Sequence, residues 1–211
     1  MKIKKKDIYN LQSKFPNLTK LDLEFNNNNY LYNDRPFALI IEENPNIKVD
    51  EIKISGKGNI KCYCQSFENI KKLFLDFFDE ISNLKESFPV FSDNCKIKFQ
   101  YLTNLDIKYY PKNIEVKKNN LNIIKNIYKN LDLMPNLKSF TLFCCSIGID
   151  EDLFNKFIQK LLLKGLDEVN LDIQNDENDY NDPYFSKEEL MKLCSNIYFD
   201  LNKINIRKLK C

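Results

Sequence analysis

The residue types that most often carry out catalysis or bind metal ions are scarce in this sequence. It contains no histidine, which excludes Ser-His-Asp and Cys-His catalysis and any metal site built on imidazole. Among seven cysteines the closest pairs are Cys62-Tyr-Cys64 and Cys144-Cys145, and neither has the gap of roughly two to four residues typical of zinc ligands. We therefore expect reduced, buried thiols, no metal ion or cofactor and, without an acid–base constellation, no enzymatic activity.

Three polar or charged segments suggest binding motifs, and for each of them a simpler interpretation is favoured. The acidic stretch from Gln174 to Asp182 lacks the glycine and the closing glutamate of an EF-hand, so a solvated loop is the simpler interpretation. Gly56-Lys-Gly58 lacks the Walker spacing of a phosphate loop. The lysines from Lys2 to Lys6 suggest a nucleic-acid arm or a charged chain terminus, and we favour the terminus.

The overall charge argues against a polyanionic partner. Lys plus Arg number 32 and Asp plus Glu number 30 among 211 residues, a net charge of +2, whereas nucleic acids and acidic membranes bind concentrated basic fields. No segment approaches the roughly 18 uninterrupted apolar residues of a membrane span, and the first residues lack the apolar core of a secretory signal. We expect a cytoplasmic protein that binds neither nucleic acid nor membrane.

The elements that must position any site follow from an apolar pattern that recurs along the chain. Apolar residues at offsets of 0, +3 and +5 occur seven times, at a mean spacing of about 30 residues. The triads are Leu18/Leu21/Leu23, Val49/Ile52/Ile54, Ile70/Leu73/Leu75, Leu102/Leu105/Ile107, Leu137/Phe140/Leu142, Leu166/Val169/Leu171 and Leu201/Ile204/Ile206. Because alternation buries one face of a strand, each triad predicts a short strand that must stack on its neighbours. We expect one parallel sheet in sequence order.

The segments between the triads predict helices on the buried side of that sheet. Apolar stripes follow Asp150, which can cap a helix that ends before Gly165, and Ser186-Lys-Glu-Glu189, which is a capping box. Three weaker helices are predicted from Leu121 to Leu131 with Asn119 or Asn120 as the cap, around Ile81, Leu84 and Phe88, and around Ile8, Leu11 and Phe15. The short interval from Val49 to Ile70 predicts an extended return over Ile60 to Phe67.

Two triads carry further residues that resemble a known family. Leu18-Thr-Lys-Leu21-Asp-Leu23-Glu-Phe-Asn26 and the segment from Leu137 to Ile147, with Cys145, match the unit L-x-x-L-x-L-x-x-N/C-x-L of leucine-rich repeat proteins. Units two, three, four and six have Lys57, Phe78, Tyr110 and Gln174 at the Asn/Cys position, so the repeats are irregular.

The resemblance implies a fold and a domain organisation. It implies a right-handed α/β solenoid of about seven repeats, similar to the ribonuclease-inhibitor-like branch, with strands on the concave face and helices on the convex face. A single domain would span residues 1–211, with a helical cap at 1–15 and repeats at 16–211.

In such a solenoid the strand residues between the buried ones form the contact surface. By this alternation the candidate partner-binding residues are Asp22, Glu24, Lys53, Lys72, Phe74, Asp76, Asp106, Lys108, Thr141, Phe143, Asn170, Asp172, Asn205 and Arg207. Charges of both signs favour a protein partner over a polyanion. Phe74 and Phe143 are candidate anchors of that interface, the alternative being that they are ordinary exposed aromatics or are covered from the helix side.

The leading functional hypothesis is a protein-interaction scaffold without chemistry of its own. The resemblance also allows two alternatives, the substrate-recognition part of an F-box-type ubiquitin ligase and a regulator of a small GTPase. At the C-terminal side, Leu201, Ile204, Ile206 and Leu209 are expected to form an open edge. Self-association or further repeats would complete that edge.

Overall fold

The alternating segments form the strands of one open parallel sheet. The computed structural model describes residues 17, 19–26, 37–41, 49–57, 60–64, 69–77, 89–109, 114–145, 150–174, 185–193 and 204–206. Its strands are β1 (Lys20–Asn26), β2 (Phe37–Ile41), β3 (Glu51–Lys57), β4 (Ile60–Cys64), β5 (Lys72–Phe77), β6 (Asn104–Tyr109), β7 (Ser139–Cys145), β8 (Glu168–Gln174) and β9 (Ile204–Ile206). The main sheet has seven strands in the order β1-β3-β5-β6-β7-β8-β9, all parallel, which confirms the predicted order.

The strand register aligns equivalent residues of the triads in rows that run across the sheet. The first row contains Leu21, Ile52, Leu73, Leu105, Phe140, Val169 and Ile204, and the second contains Leu23, Ile54, Leu75, Ile107, Leu142, Leu171 and Ile206. From β3 to β9 the side chains of both rows are buried. A third buried row, which the triads do not include, contains Phe77, Tyr109, Cys144 and Ile173. The core therefore extends one row further toward the strand ends than the sequence pattern predicts.

A backbone contact recurs where successive strands begin. The carbonyl oxygen of the residue just before one strand accepts hydrogen bonds from two consecutive N–H groups at the start of the neighbouring strand, with N–O distances of 2.7–3.1 Å. The five carbonyls are those of Thr19, Asp50, Lys71, Thr103 and Lys138, and each follows the first residue of a triad. Because each carbonyl holds two donors of the next strand, these contacts fix where β3, β5, β6, β7 and β8 start relative to their neighbours in the main sheet.

Three α-helices are described, and their buried residues join the core on one face of the sheet. They are α1 (Ile114–Asn130), α2 (Glu151–Leu163) and α3 (Lys187–Leu193), and short 3-10 turns occupy Pro89–Phe91 and Leu131–Leu133. The Phe157 ring of α2 lies edge-on to Phe140 of β7 and to Tyr128 of α1, at centroid distances of 5.8 and 6.1 Å. None of the described helices is long and apolar enough to cross a bilayer.

The ends of α2 and the start of α3 confirm the predicted caps. The Asp150 carboxylate accepts a hydrogen bond from the backbone N–H of Leu153 at 2.7 Å, and Gly165 adopts a φ of 67° just after the helix. At α3 the N–H of Ser186 donates to the Glu189 carboxylate at 2.8 Å, and the N–H of Glu189 donates to the Ser186 hydroxyl at 3.3 Å.

The predicted start of α1 is wrong. The helix begins at Ile114, so Asn119 and Asn120 lie inside it and do not cap it. Asparagine is unfavourable in a helix interior by only a few tenths of a kcal/mol, and tertiary packing overrides such a preference. Proline is not tolerated in a helix interior, and the next proline on the N-terminal side is Pro111, so the sequence allows the earlier start.

The other segments between strands have varied structures. The predicted extended return is confirmed over Ile60–Cys64, which is β4 and pairs in parallel with β2 as a separate two-stranded sheet. The helices predicted around Ile81 and around Ile8 lie outside the described residues. Between β5 and β6, a short 3-10 turn and an irregular segment bury Val90, Phe91 and Phe99 against the sheet.

β9 is the last strand of the main sheet, and no further described strand pairs with it beyond β8. Ile204 and Ile206 are only 8% and 1% exposed within the single chain, so their side chains do not form an exposed apolar edge. The N–H of Phe185 donates to the Ile206 carbonyl at 2.8 Å, and Leu190 of α3 is buried in the same core. Completion of the edge by self-association or by further repeats stays a prediction. Leu201 and Leu209 lie outside the described residues.

Two buried asparagines of α1 hold the return between β5 and β6. The Asn126 side-chain amide donates to the Phe91 carbonyl at 2.7 Å. The Asn130 amide donates to the carbonyls of Val90 and Ser92, both at 2.9 Å. Since the described part of this return contains only one short 3-10 turn, the two amides supply it with hydrogen-bond donors from α1.

Replacing Asn130 should therefore destabilise the chain despite its polar character. We expect Asn130→Leu to lower the free energy of unfolding by about 1–3 kcal/mol, because the carbonyls of Val90 and Ser92 lose their donor. Lys129→Leu, on the exposed side of the same turn, should change it by less than about 0.5 kcal/mol. Urea titration of both variants measures the difference, and equal effects would contradict the role given to Asn130.

The two faces of the sheet should respond differently to truncation. Leu171 is fully buried in the second row, so Leu171→Ala should cost about 2–5 kcal/mol of unfolding free energy. Asp22 is exposed on the other face, and Asp22→Ala should cost less than about 0.5 kcal/mol. If a denaturant titration shows similar losses for both variants, the assigned register is wrong.

Candidate functional site

The side of the main sheet that faces away from the core carries the predicted contact residues. We call this side the open face. It consists of three rows: Lys20, Glu51, Lys72, Asn104, Ser139 and Glu168; Asp22, Lys53, Phe74, Asp106, Thr141, Asn170 and Asn205; and Glu24, Ser55, Asp76, Lys108, Phe143 and Asp172. Every predicted contact residue is on it except Arg207, which lies outside the described residues. All are exposed or half-buried apart from Thr141, which is buried at 9% exposure.

On the first three strands the charges pair across the sheet. The Glu51 carboxylate of β3 contacts the ammonium group of Lys20 on β1, and lies 3.9 Å from that of Lys72 on β5. Asp22 of β1 and Lys53 of β3 form a second pair at 3.5 Å. Such exposed pairs contribute at most about 1 kcal/mol each. They leave this part of the open face electrostatically balanced.

From β5 to β8 carboxylates predominate. Asp76, Asp106, Glu168 and Asp172 occupy this part of the open face, and we call them the acidic patch. The strand register places Lys108 opposite Asp76 on one side and Phe143 on the other. The Lys108 ammonium group lies 5.8 Å from the centre of the Phe143 ring, within the range of a cation–π contact.

Two carboxylates of the acidic patch are partly withdrawn from water. Burial raises the pKa of Asp106 above its ordinary value; the nearby Lys108 ammonium opposes this rise, and the charges of Asp76 and Glu168 add to it. The Oδ1 atom of Asp76 is buried and has no hydrogen-bond donor within the described part of the chain. An acceptor in that position is costly unless a donor reaches it.

A hydrogen-bonded network orders the side chains on the last three strands. The Ser139 hydroxyl and the Asn170 amide both donate to the Glu168 carboxylate, at 3.2 and 3.0 Å. The Asn205 amide of β9 donates to the Asn170 carbonyl oxygen at 2.9 Å, and the Asn170 amide lies 3.4 Å from the Thr141 hydroxyl. This network covers Thr141, which explains why a residue of the open face is buried.

The two aromatic residues of the open face are half-buried. Phe74 lies between Lys53 and Asp106 in its row, and Phe143 lies between Lys108 and Asp172 in the next. Both are therefore bordered by charged side chains, and neither belongs to the core. They are presented on the open face, as the alternation predicts, and their role as interface anchors stays a prediction.

On the core side of the sheet, a small apolar cavity lies between the strands and α1. Its lining includes Phe77, Ile107, Ile124, Leu142 and Cys144, and its volume is about 10 Å³. A cavity of that size holds about one water molecule and no larger ligand. Among the described residues, no three Cys, Asp or Glu side chains are close enough to share a metal ion.

Comparison with known proteins gives no assignment. No protein-family model, curated protein or solved structure shows a significant match to this chain.

Replacing Asp106 should stabilise the chain in a pH-dependent way. The pKa of Asp106 is raised in the folded state, so the carboxyl group binds a proton more tightly there than in the unfolded chain. The free energy of unfolding therefore falls as the pH rises from 3.8 through the folded-state pKa of this group. Asp106→Asn cannot ionise, and we expect it to unfold at higher urea concentration than the wild type at about pH 7. The gain should disappear at about pH 3, where both states hold the proton.

A matched variant controls for general charge effects. Asp22→Asn removes a carboxylate that is paired with Lys53, so it should not gain stability at neutral pH. A loss of stability in Asp106→Asn at neutral pH, or an equal gain at both pH values, would contradict the burial of an ionised Asp106.

Proposed function

We propose that this protein is a non-catalytic interaction scaffold that binds a protein partner through the open face. In this proposal the chain is a single domain of leucine-rich repeat type, a right-handed α/β solenoid similar to the ribonuclease-inhibitor-like branch. The open face is then the concave contact surface. The observation that carries the proposal is a parallel sheet with one face buried by helices and the other not covered by any described element, bearing Phe74 and Phe143 among charged side chains.

The physical character of the open face favours a protein over other partners. Half-buried aromatic rings bordered by charges of both signs are typical of protein interfaces, where aromatics contribute much of the affinity. The described residues of the open face include seven carboxylates and four ammonium groups. This excess of negative charge repels a polyanion such as nucleic acid. The rigid backbone of the sheet presents these groups with little entropy to lose on binding.

The test is affinity capture from the source cell with the full chain and a double variant. We expect Phe74→Ala with Phe143→Ala to weaken capture of the partner by at least about tenfold, because aromatic anchors at interfaces contribute on this scale. Leu163→Ala is the control, since this leucine is 70% exposed on α2, on the helix side. Circular dichroism should show that both variants remain folded.

The identity of the captured proteins then assigns the role. Adaptor and cullin subunits would place the chain in a ubiquitin ligase, and a small GTPase would make it a regulator. Proteins that the double variant retains but Leu163→Ala loses would contradict binding through the open face.

A further inference from the structure

The charges of the open face are distributed unevenly between its two parts. On β1, β3 and β5, Lys20, Lys53 and Lys72 are within ion-pair distance of Asp22 or Glu51. In the acidic patch, the four carboxylates outnumber the ammonium groups among the described residues, where Lys108 lies opposite Asp76 in the register. The chain as a whole has a net charge of +2, so this excess is local and does not reflect composition.

Within the acidic patch, neither Asp76 nor Asp106 has a cationic partner among the described residues. They lie on the adjacent strands β5 and β6, with Asp76 opposite Lys108 and Asp106 opposite Phe74. Neither forms an ion pair within 4.0 Å with another described residue, and the Oδ1 atom of Asp76 is buried without a hydrogen bond. A cationic group from outside would supply a neutralising charge to both carboxylates.

The aromatic rings beside the acidic patch are also suited to contact a cationic side chain of a partner. Phe74 is the cross-strand neighbour of Asp106, and Phe143 neighbours Asp172. A guanidinium or ammonium group can lie against such rings while it reaches a carboxylate, and the aliphatic part of an Arg or Lys side chain packs on them. Lys108 already makes this kind of contact with Phe143, at 5.8 Å.

We propose that the open face binds an Arg- or Lys-rich segment of a protein, seated on the acidic patch beside Phe74 and Phe143. This inference rests on the proposed function and names the chemistry of the partner. The basic side chains of the segment donate to Asp76 and Asp106, and their stems cover the two rings. The balanced part of the open face, formed by the paired charges of β1, β3 and β5, contributes little to the selection of the partner.

The test uses two fluorescent peptides and the full chain. In one peptide Arg alternates with Ser, and in the other Glu replaces every Arg; fluorescence anisotropy measures binding. We expect the Arg peptide to bind at least about tenfold more tightly than the Glu peptide, and more weakly as salt is added. The isosteric double variant Asp76→Asn with Asp106→Asn should lose about tenfold in affinity for the Arg peptide.

The matched control removes two exposed carboxylates that lie outside the open face. Asp132→Asn with Asp152→Asn should change the affinity for the Arg peptide by less than about twofold, because these groups are away from the acidic patch and already have lysine partners. An equal loss in both double variants, or no loss in the first, would overturn the acidic patch as the binding site.

The same variants separate this inference from the proposed function. A cellular partner that is lost with Phe74→Ala and Phe143→Ala but retained with Asp76→Asn and Asp106→Asn would overturn the cationic segment and leave binding through the open face standing. A partner that none of these variants affects would overturn both. A partner lost with both pairs of substitutions supports the inference.

Discussion

The structure depends on a backbone contact that recurs at the start of successive strands. A single carbonyl oxygen before one strand accepts two N–H groups from the next, as Lys71 does for Thr103 and Asn104. This contact determines where each strand begins, and the parallel ladder then continues in the same register. Because the side-chain period of a strand is two, that starting point decides which side chains enter the core and which form the open face.

Burial outweighs the polar contacts of the open face in determining stability. A fully buried Leu, Ile or Phe contributes about 1.5–3 kcal/mol, and the rows across the sheet contain many of them. An exposed pair such as Asp22 and Lys53 contributes about 1 kcal/mol or less. The sheet therefore tolerates a carboxylate such as Asp106, whose pKa is raised by burial, at a modest cost. The charge pattern of the open face is free to serve binding because the fold does not require it.

The sequence predicts the main sheet well because its signal is simple. The second and third residues of every triad lie in the strands and align across the sheet, so their spacing encodes both the strand and its register. The third buried row is missed because the three-point pattern ends before it. The residues of that row, Phe77, Tyr109, Cys144 and Ile173, are of different types, so the sequence does not indicate that they occupy equivalent positions. The buried amides of Asn126 and Asn130 are missed because their carbonyl partners lie on a distant segment of the chain.

The candidate site is only partly predictable from the sequence. The alternation of apolar and polar residues assigns residues such as Asp76 and Asp106 to the open face. It does not show which of the charged side chains on that face form ion pairs. The separation into a balanced part and an acidic patch depends on which strands are neighbours, and on distances such as that between Asp22 and Lys53. The burial of Thr141 likewise follows from side chains on two other strands.

The most direct test of this account is residue-resolved hydrogen exchange of the backbone amides that precede the strands. The diagnostic amides, all donors to the recurring carbonyls, are those of Asp50, Lys71, Thr103, Lys138 and Asp167. Their side chains are exposed or half-exposed, so a loop without these contacts would exchange rapidly. The account predicts protection close to that of amides inside β6 and β7. Exchange at the rate of an unstructured peptide, while β6 and β7 stay protected, would contradict it.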